Sequence, residues 1–226
     1  MMNKDLEKLI EAERKAEQLF ESIKNEKIIQ SGKTENKINS EIYQLATKEF
    51  GIEKFWHKRI VRSGKNTLLP YKENPPDLTL KDDDILFLDF GPVFEEWEAD
   101  FGRTYVIGND QKKIKLMNDV ETAWHEGKEF YLTNIENLTG ADFYQFTVKL
   151  AIKYGWKFGN EHCGHLVGKF PHEKLSGENK TNYLHPENSI LLNYPDRRGE
   201  KRYWIYEIHF IDEEQQIGGF FEQLLF

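Results

Sequence analysis

The sequence predicts an α+β fold, and three observations carry the prediction. Two stretches near the N-terminus repeat apolar residues at helical spacing. A nearly continuous apolar run begins at Ile85, and the C-terminal region alternates as strands do. No repeat, low-complexity segment or linker separates these parts, so one domain spanning 1–226 is the economical expectation.

In chain order, residues 4 to about 24 carry Leu6, Ile10, Ala12, Ala16, Leu19, Phe20 and Ile23 as an apolar stripe among Glu and Lys. Ser31-Gly32-Lys33 marks a turn, and a second helix is expected from about Thr34 to Phe50, with Gly51 placed to end it. Ser63-Gly64-Lys65-Asn66, Pro70 and Pro75-Pro76 make 63–79 a loop with little regular structure. Strands are expected over Ile85–Phe90 and, more loosely, Trp97–Ile107. Gly108-Asn109-Asp110 closes that strand and is placed to cap a helix from near Gln111 to about 130, and a further helix follows from 139 to about 154. Leu116, Val120, Trp124, Phe143, Phe146, Leu150 and Ile152 are the expected inner positions of this pair. From Trp156 the chain reads as strand and loop, with strands at Trp204–Ile211 and Phe220–Phe226.

Composition narrows the function. The formal charge of −8 argues against a nucleic-acid partner, because phosphate binding requires a basic face. Two basic clusters, His57-Lys58-Arg59 with Arg62 and Lys65, and Arg197-Arg198 with Lys201-Arg202, read as solvated loops or strand ends. No run approaches the roughly 20 apolar residues of a membrane span, and the charged N-terminus lacks the apolar core of a signal peptide. The single cysteine, Cys163, excludes an internal disulfide and suits a reducing compartment, so a soluble cytoplasmic protein is expected.

Asp89 ends a hydrophobic run, where a carboxylate is costly to bury without partners. Asp100 follows in Ala99-Asp100-Phe101-Gly102-Arg103-Thr104. A hairpin centred between Phe94 and Glu95 would set the two aspartates opposite each other on one face. Like charges there repel unless a cation lies between them, although either residue alone could equally be a turn or edge aspartate.

Three histidines, His162, His165 and His172, fall among glycines in a short stretch, and Gly164 and Gly168 allow close packing around His165. Cys163 beside them invites a zinc or thiol reading, but one cysteine without supporting spacing does not build a structural zinc site. Glu207 and Glu222 each lie inside a strongly apolar strand, where unpaired glutamate is rarely buried. Either could face solvent from an edge strand; two together suggest carboxylates aimed at a shared charge. His209 has the strand parity of Glu207.

Taken in order, these residues resemble a known family. An Asp, a second Asp eleven residues on with Arg-Thr following, Gly164-His165-Leu166-Val167-Gly168, His172 and two late strand glutamates are similar to the pita-bread metallopeptidases. That family comprises aminopeptidase P, prolidase, methionine aminopeptidase and creatinase. The opening helices and Ile60–Asn66 resemble it as well. The resemblance implies a curved antiparallel sheet flanked by helices, two divalent ions, and hydrolysis of an N-terminal or Xaa-Pro bond of a short peptide through a metal-bridging water. It implies Asp89 as a ligand of one ion, Asp100 and Glu222 as bridges, and His165 with Glu207 completing the second. Glu207 and His172 would be catalytic, and His172, Tyr71 and His162 would meet the substrate. Manganese, cobalt, iron and zinc all accept this mixed donor set. Tyr71 occupies the position of a histidine usual in the family, Glu161-His162-Cys163-Gly164-His165 replaces the usual His-Gly-x-Gly-His, and the turn between Asp89 and Asp100 lacks its customary glycine. The short Glu207–Glu222 spacing is nearer the aminopeptidase P and prolidase branch. A non-peptide C–N hydrolase of the creatinase kind and a catalytically silent binding protein are the alternatives on the same scaffold. A homodimer is compatible with the sequence.

Overall fold

The computed structural model describes residues 3–171, 179–196 and 198–226. Two helices open it, α1 (Lys4–Asn25) and α2 (Glu35–Phe50). The Thr34 hydroxyl accepts from Lys37 N–H, and Gly51, placed in the sequence to end α2, takes the left-handed conformation there. Strands β1 (Ile60–Ser63) and β2 (Ile85–Phe90) follow, then a small hairpin of β3 (Val93–Phe94) and β4 (Trp97–Glu98), then β5 (Phe101–Val106). A 3₁₀ turn over Gly64–Leu68 lies in the loop after β1. Next come α3 (Gln111–Asn134), capped by Asp110, and α4 (Gly140–Tyr154), whose Thr139–Asp142 capping box fixes its start. Short strands β6 (Lys157–Phe158) and β7 (Gly164–Val167) precede the long pair β8 (Tyr203–Asp212) and β9 (Ile217–Leu224).

The main sheet is antiparallel throughout, in the order β1-β2-β5-β9-β8-β6, with β7 also on β8. Strand parity divides its faces. Leu86, Leu88 and Phe90 of β2 pack with α1 and α2 through Ala16, Leu19, Phe20, Ile38 and Ile42. Tyr206, Ile208 and Phe210 of β8, with Phe221 of β9, pack with Leu116, Val120 and Trp124 of α3 and Phe143 of α4. Both helix pairs therefore cover alternate residues of the sheet, and the intervening residues turn to the opposite face. Ile152 is 70% exposed rather than an inner position of α4.

Two expectations change. The expected strand Trp97–Ile107 is broken at Ala99-Asp100 into β4 and β5. The hairpin turn lies at Glu95-Glu96, so Asp89 faces Gly102 rather than Asp100. Glu95 adopts φ 58°, the left-handed conformation for which a glycine is customary.

Candidate metal centre

The observed register places the acidic groups in one row. Asp89 of β2 pairs with Gly102 of β5, Gly102 with Glu222 of β9, and Glu222 with Glu207 of β8. Gly102 has no side chain, so nothing of β5 stands between the Asp89 and Glu222 carboxyls. Asp100 arrives from the segment just before β5 and is 2% exposed. His165 comes from β7, opposite Ile205 of β8, with its Nε2 3.1 Å from Asp100 Oδ2 and 3.9 Å from Glu222 Oε1. All five predicted ligand positions line one cavity of about 550 Å³, together with Trp56, His57, Tyr71, Glu98, His162, Phe170, Pro171 and Tyr183.

Five buried carboxyls line this one space, Glu98 and the four expected ligands, and such a gathering is an electrostatic problem. Each pair of charges about 4 Å apart repels by ~4 kcal/mol at an effective dielectric of 20. Burial and the neighbouring carboxylates push Glu222 well above its ordinary value and raise Asp89 to about 7. Burial works in the same direction on Asp100, but His57 and His165 outweigh it and hold that carboxyl at about 2. Glu222 Oε2, Glu207 Oε1 and His162 Nδ1 are buried without a hydrogen-bond partner among the described residues. The last two lie 2.8 Å apart, an ion-pair distance without the alignment of a hydrogen bond. The other Glu207 oxygen accepts from Asn160 Nδ2 at 3.2 Å. Buried lone pairs left over in an acidic, imidazole-bearing cavity fit a divalent cation, which neutralises the charge and takes up the orphaned donors. Two sets of ligand atoms lie within bonding range of a common ion, His57 with Asp89 and Asp100, and Asp100 with His165 and Glu222.

The remaining predicted residues separate. Tyr71 reaches the cavity wall, but its hydroxyl accepts from Lys58 N–H at 3.2 Å and its ring packs 5.7 Å from that of His57. His162 lines the cavity beside Tyr183. His172 lies outside the described residues, as does Arg197 of the second basic cluster. Cys163 is fully buried with α4 and β8 residues, outside the cavity wall, and burial pushes its thiol up, away from the nucleophilic thiolate. His209, buried two residues after Glu207 on β8, has Nε2 2.8 Å from the Thr67 carbonyl and Nδ1 3.1 Å from Oδ1 of Asn160, whose Nδ2 donates to Glu207.

His57 and Arg62 correct the reading of the first basic cluster as solvated. Arg62 is 3% exposed and donates to the backbone carbonyls of Leu69, Pro70 and Glu73, fixing the loop that carries Tyr71. His57 is buried in the cavity, 3.0 Å from Asp100. Its only signal in the sequence was an aromatic neighbour, Trp56, beside an imidazole in an otherwise charged run.

The chain is similar to known proteins in sequence and in fold. The chain is 28% identical over 194 residues to a putative Xaa-Pro aminopeptidase of Mycoplasma pneumoniae, covering 84% of this chain and 52% of that protein. It is 25% identical over 146 residues to an Xaa-Pro dipeptidase of Pyrococcus horikoshii, covering 64% and 40% respectively. The chain thus spans about half the length of the curated relatives it matches. Among solved structures it superposes on an Xaa-Pro dipeptidase from Bacillus anthracis with a TM-score of 0.75 at 22% identity, covering 98% of this chain and 57% of that one. A methionine aminopeptidase from Rickettsia prowazekii gives 0.71 at 17% identity and is covered to 93% of its length. The shared architecture is the pita-bread fold. The sequence profile of metallopeptidase family M24 matches residues 7–217, and the chain belongs to that family.

Proposed function

We propose that this chain is a dinuclear metal-dependent exopeptidase acting on an N-terminal or Xaa-Pro bond of short peptides. The observation that carries the reading is the row Asp89–Gly102–Glu222–Glu207, with Asp100 and His165 converging on it in a single cavity. Asp89 would hold one ion, Asp100 and Glu222 would bridge, and His165 with Glu207 would hold the second. Manganese, cobalt, iron and zinc all suit the donors. The ion pair would supply Lewis acidity and an activated water.

The chain's own residues do the rest. Glu207 is placed to move a proton, because one of its oxygens is held by Asn160 while the other faces the cavity beside His162. Trp56, Tyr71, Phe170, Pro171 and Tyr183 make part of the cavity lining aromatic and apolar, which suits a short, compact peptide end such as a proline ring. His162 and Tyr71 line the same space, and His172 is a further candidate for substrate contact. The names of the relatives, Xaa-Pro aminopeptidase and Xaa-Pro dipeptidase, support this choice of substrate.

Elemental analysis of the purified protein, followed by assay on a panel of Xaa-Pro and Met-initiated peptides with added manganese or cobalt, tests the proposal. Two bound equivalents with turnover of Xaa-Pro peptides is the expected outcome. Two equivalents with no peptide cleaved sinks the peptidase reading, and failure to bind any divalent ion sinks the centre.

A further inference from the structure

The five proposed ligands leave one group in the cavity with a ligand's geometry and no assigned role. His57 precedes β1 in a short strap that is clamped along its length. Phe55 bridges to Pro92, the Trp56 backbone N–H donates to the Gly91 carbonyl at 2.9 Å, and the Trp56 indole donates to the Ala99 carbonyl at 2.9 Å. The Tyr71 hydroxyl, by accepting from Lys58 N–H, braces the strap from the other side.

Within that strap the imidazole is held in one orientation. His57 Nδ1 lies 2.7 Å from the Lys58 carbonyl oxygen, so Nδ1 carries a proton; Nε2 donates to Asp100 while the ring is charged and presents its lone pair where a metal ion takes the place of that second proton. That Nε2 is 3.0 Å from Asp100 Oδ1 and 3.6 Å from Asp89 Oδ1. His165 repeats the arrangement across the site, with Nδ1 2.9 Å from the Leu166 carbonyl and Nε2 3.1 Å from Asp100 Oδ2. Asp100 is therefore flanked by two imidazoles, one at each oxygen. Each ring has committed its proton to the carbonyl of the residue that follows it. Anchoring the far N–H in this way is how metal-bound histidines fix their tautomer and aim the other nitrogen.

A second observation is independent of the first. A Cβ at Gly91 would stand 2.2 Å from His57 Cδ2 and 2.4 Å from its Nε2. The backbone at the end of β2 is cut back to admit this ring against the aspartates. An imidazole that only decorated a loop would need no such slot.

We propose that His57 is a sixth ligand of the centre, giving an imidazole nitrogen to the ion held by Asp89 and Asp100, so that each ion has one histidine. The proposal rests on the dinuclear reading above. A nitrogen donor at the Asp89 position shifts its preference from manganese towards iron, cobalt and zinc, relative to an all-oxygen position.

Calorimetric titration of the metal-free protein with Co²⁺ tests it. Wild type is expected to take two equivalents, and His57→Gln to lose at least about tenfold in affinity for one of them while retaining the other. Two equivalents bound by His57→Gln with both affinities unchanged overturns the sixth ligand and leaves the centre standing. A wild type that binds no Co²⁺ removes the centre itself. If His57→Gln does not fold, proton NMR of Co²⁺-loaded His162→Gln decides. Each imidazole bound through Nε2 gives one strongly shifted, exchangeable Nδ1 proton, so two such signals support His57 beside His165, and a single one overturns it.

Discussion

Gly164→Ala tests whether the close approach of β7 to β8 holds His165 at the centre. Gly164 has φ +143°, a conformation that side chains rarely adopt, and an added Cβ would stand 2.0 Å from the Ile205 carbonyl oxygen and 2.8 Å from Leu184 Cδ1. The leucine can rotate, but Ile205 is paired with His165 on one side and Leu224 on the other, so its carbonyl is fixed by both ladders. Relief requires β7 to move outward by about 1 Å. The backbone conformation costs about 1–3 kcal/mol and the overpacking a further 1–3 kcal/mol or so. The total, roughly 2–6 kcal/mol, lowers Tm by about 5–20 °C in a chain of this size. Gly155→Ala is the control, because its φ is +84° with nothing within 4 Å of the new Cβ, and it carries only a backbone cost of about 1 kcal/mol. Thermal unfolding of both metal-free variants by circular dichroism gives the difference, and Co²⁺ titration shows whether the shifted His165 still binds. A Gly164→Ala protein that melts together with Gly155→Ala, and binds Co²⁺ as wild type does, refutes the reasoning.

Three further outcomes follow from the same geometry. Asp100→Ala removes the acceptor shared by His57 and His165 and should abolish peptide turnover and most Co²⁺ affinity, read by assay and calorimetry; retention of wild-type affinity would show that Asp100 does not bridge. Cys163→Ser should leave turnover largely intact, because the thiol is buried away from the cavity; a folded, metal-loaded but inactive variant would return the thiol to the mechanism. The metal-free protein should lose stability as pH rises, since Asp89 is raised from 3.8 to about 7 and His57, where Asp100 and Asp89 outweigh burial, from 6.5 to about 9. Raised values favour the protonated folded state, so that stability is full below the ordinary values and fades between about 4 and 7 for Asp89 and between 6.5 and 9 for His57. Bound metal displaces those protons, so its stabilising effect on Tm should grow from pH 5 to pH 8; a gain that shrinks over that range would contradict the assignment.

How far the site could be read from sequence depended on whether each residue's environment was local. Glu207 and Glu222 stood out because each is a carboxylate inside an apolar strand, and that contrast lies within a few residues of chain. The row that unites them with Asp89 depends on register, and register depends on the turn. The turn at Glu95-Glu96 carries no glycine or asparagine to mark it, so the left-handed Glu95 leaves no trace in the sequence and the expected hairpin centre falls one residue early. That slip preserved the shared face of the two aspartates, since moving the centre by one residue shifts partners by two. A glycine, not a second aspartate, faces Asp89.

His57 failed to stand out for the opposite reason. The residues that follow it are Lys58 and Arg59, the usual company of a solvated histidine, and apart from the adjacent Trp56 ring the groups that enclose it come from elsewhere in the chain. Gly91 opens the slot, Pro92 and Ala99 anchor the strap, and Asp100 accepts the ring. Tyr71, conspicuous as the residue standing where the family's histidine is usual, turns out to touch the strap rather than the carboxylates. An imidazole missing from one loop and present from another is a change that alignment along the chain records as a loss. In space this cavity has an imidazole against Asp89 and Asp100, delivered from the segment that precedes β1. Which ions the centre prefers then depends less on the family pattern than on whether His57 Nε2, already 3.0 Å from Asp100, gives its lone pair to a metal.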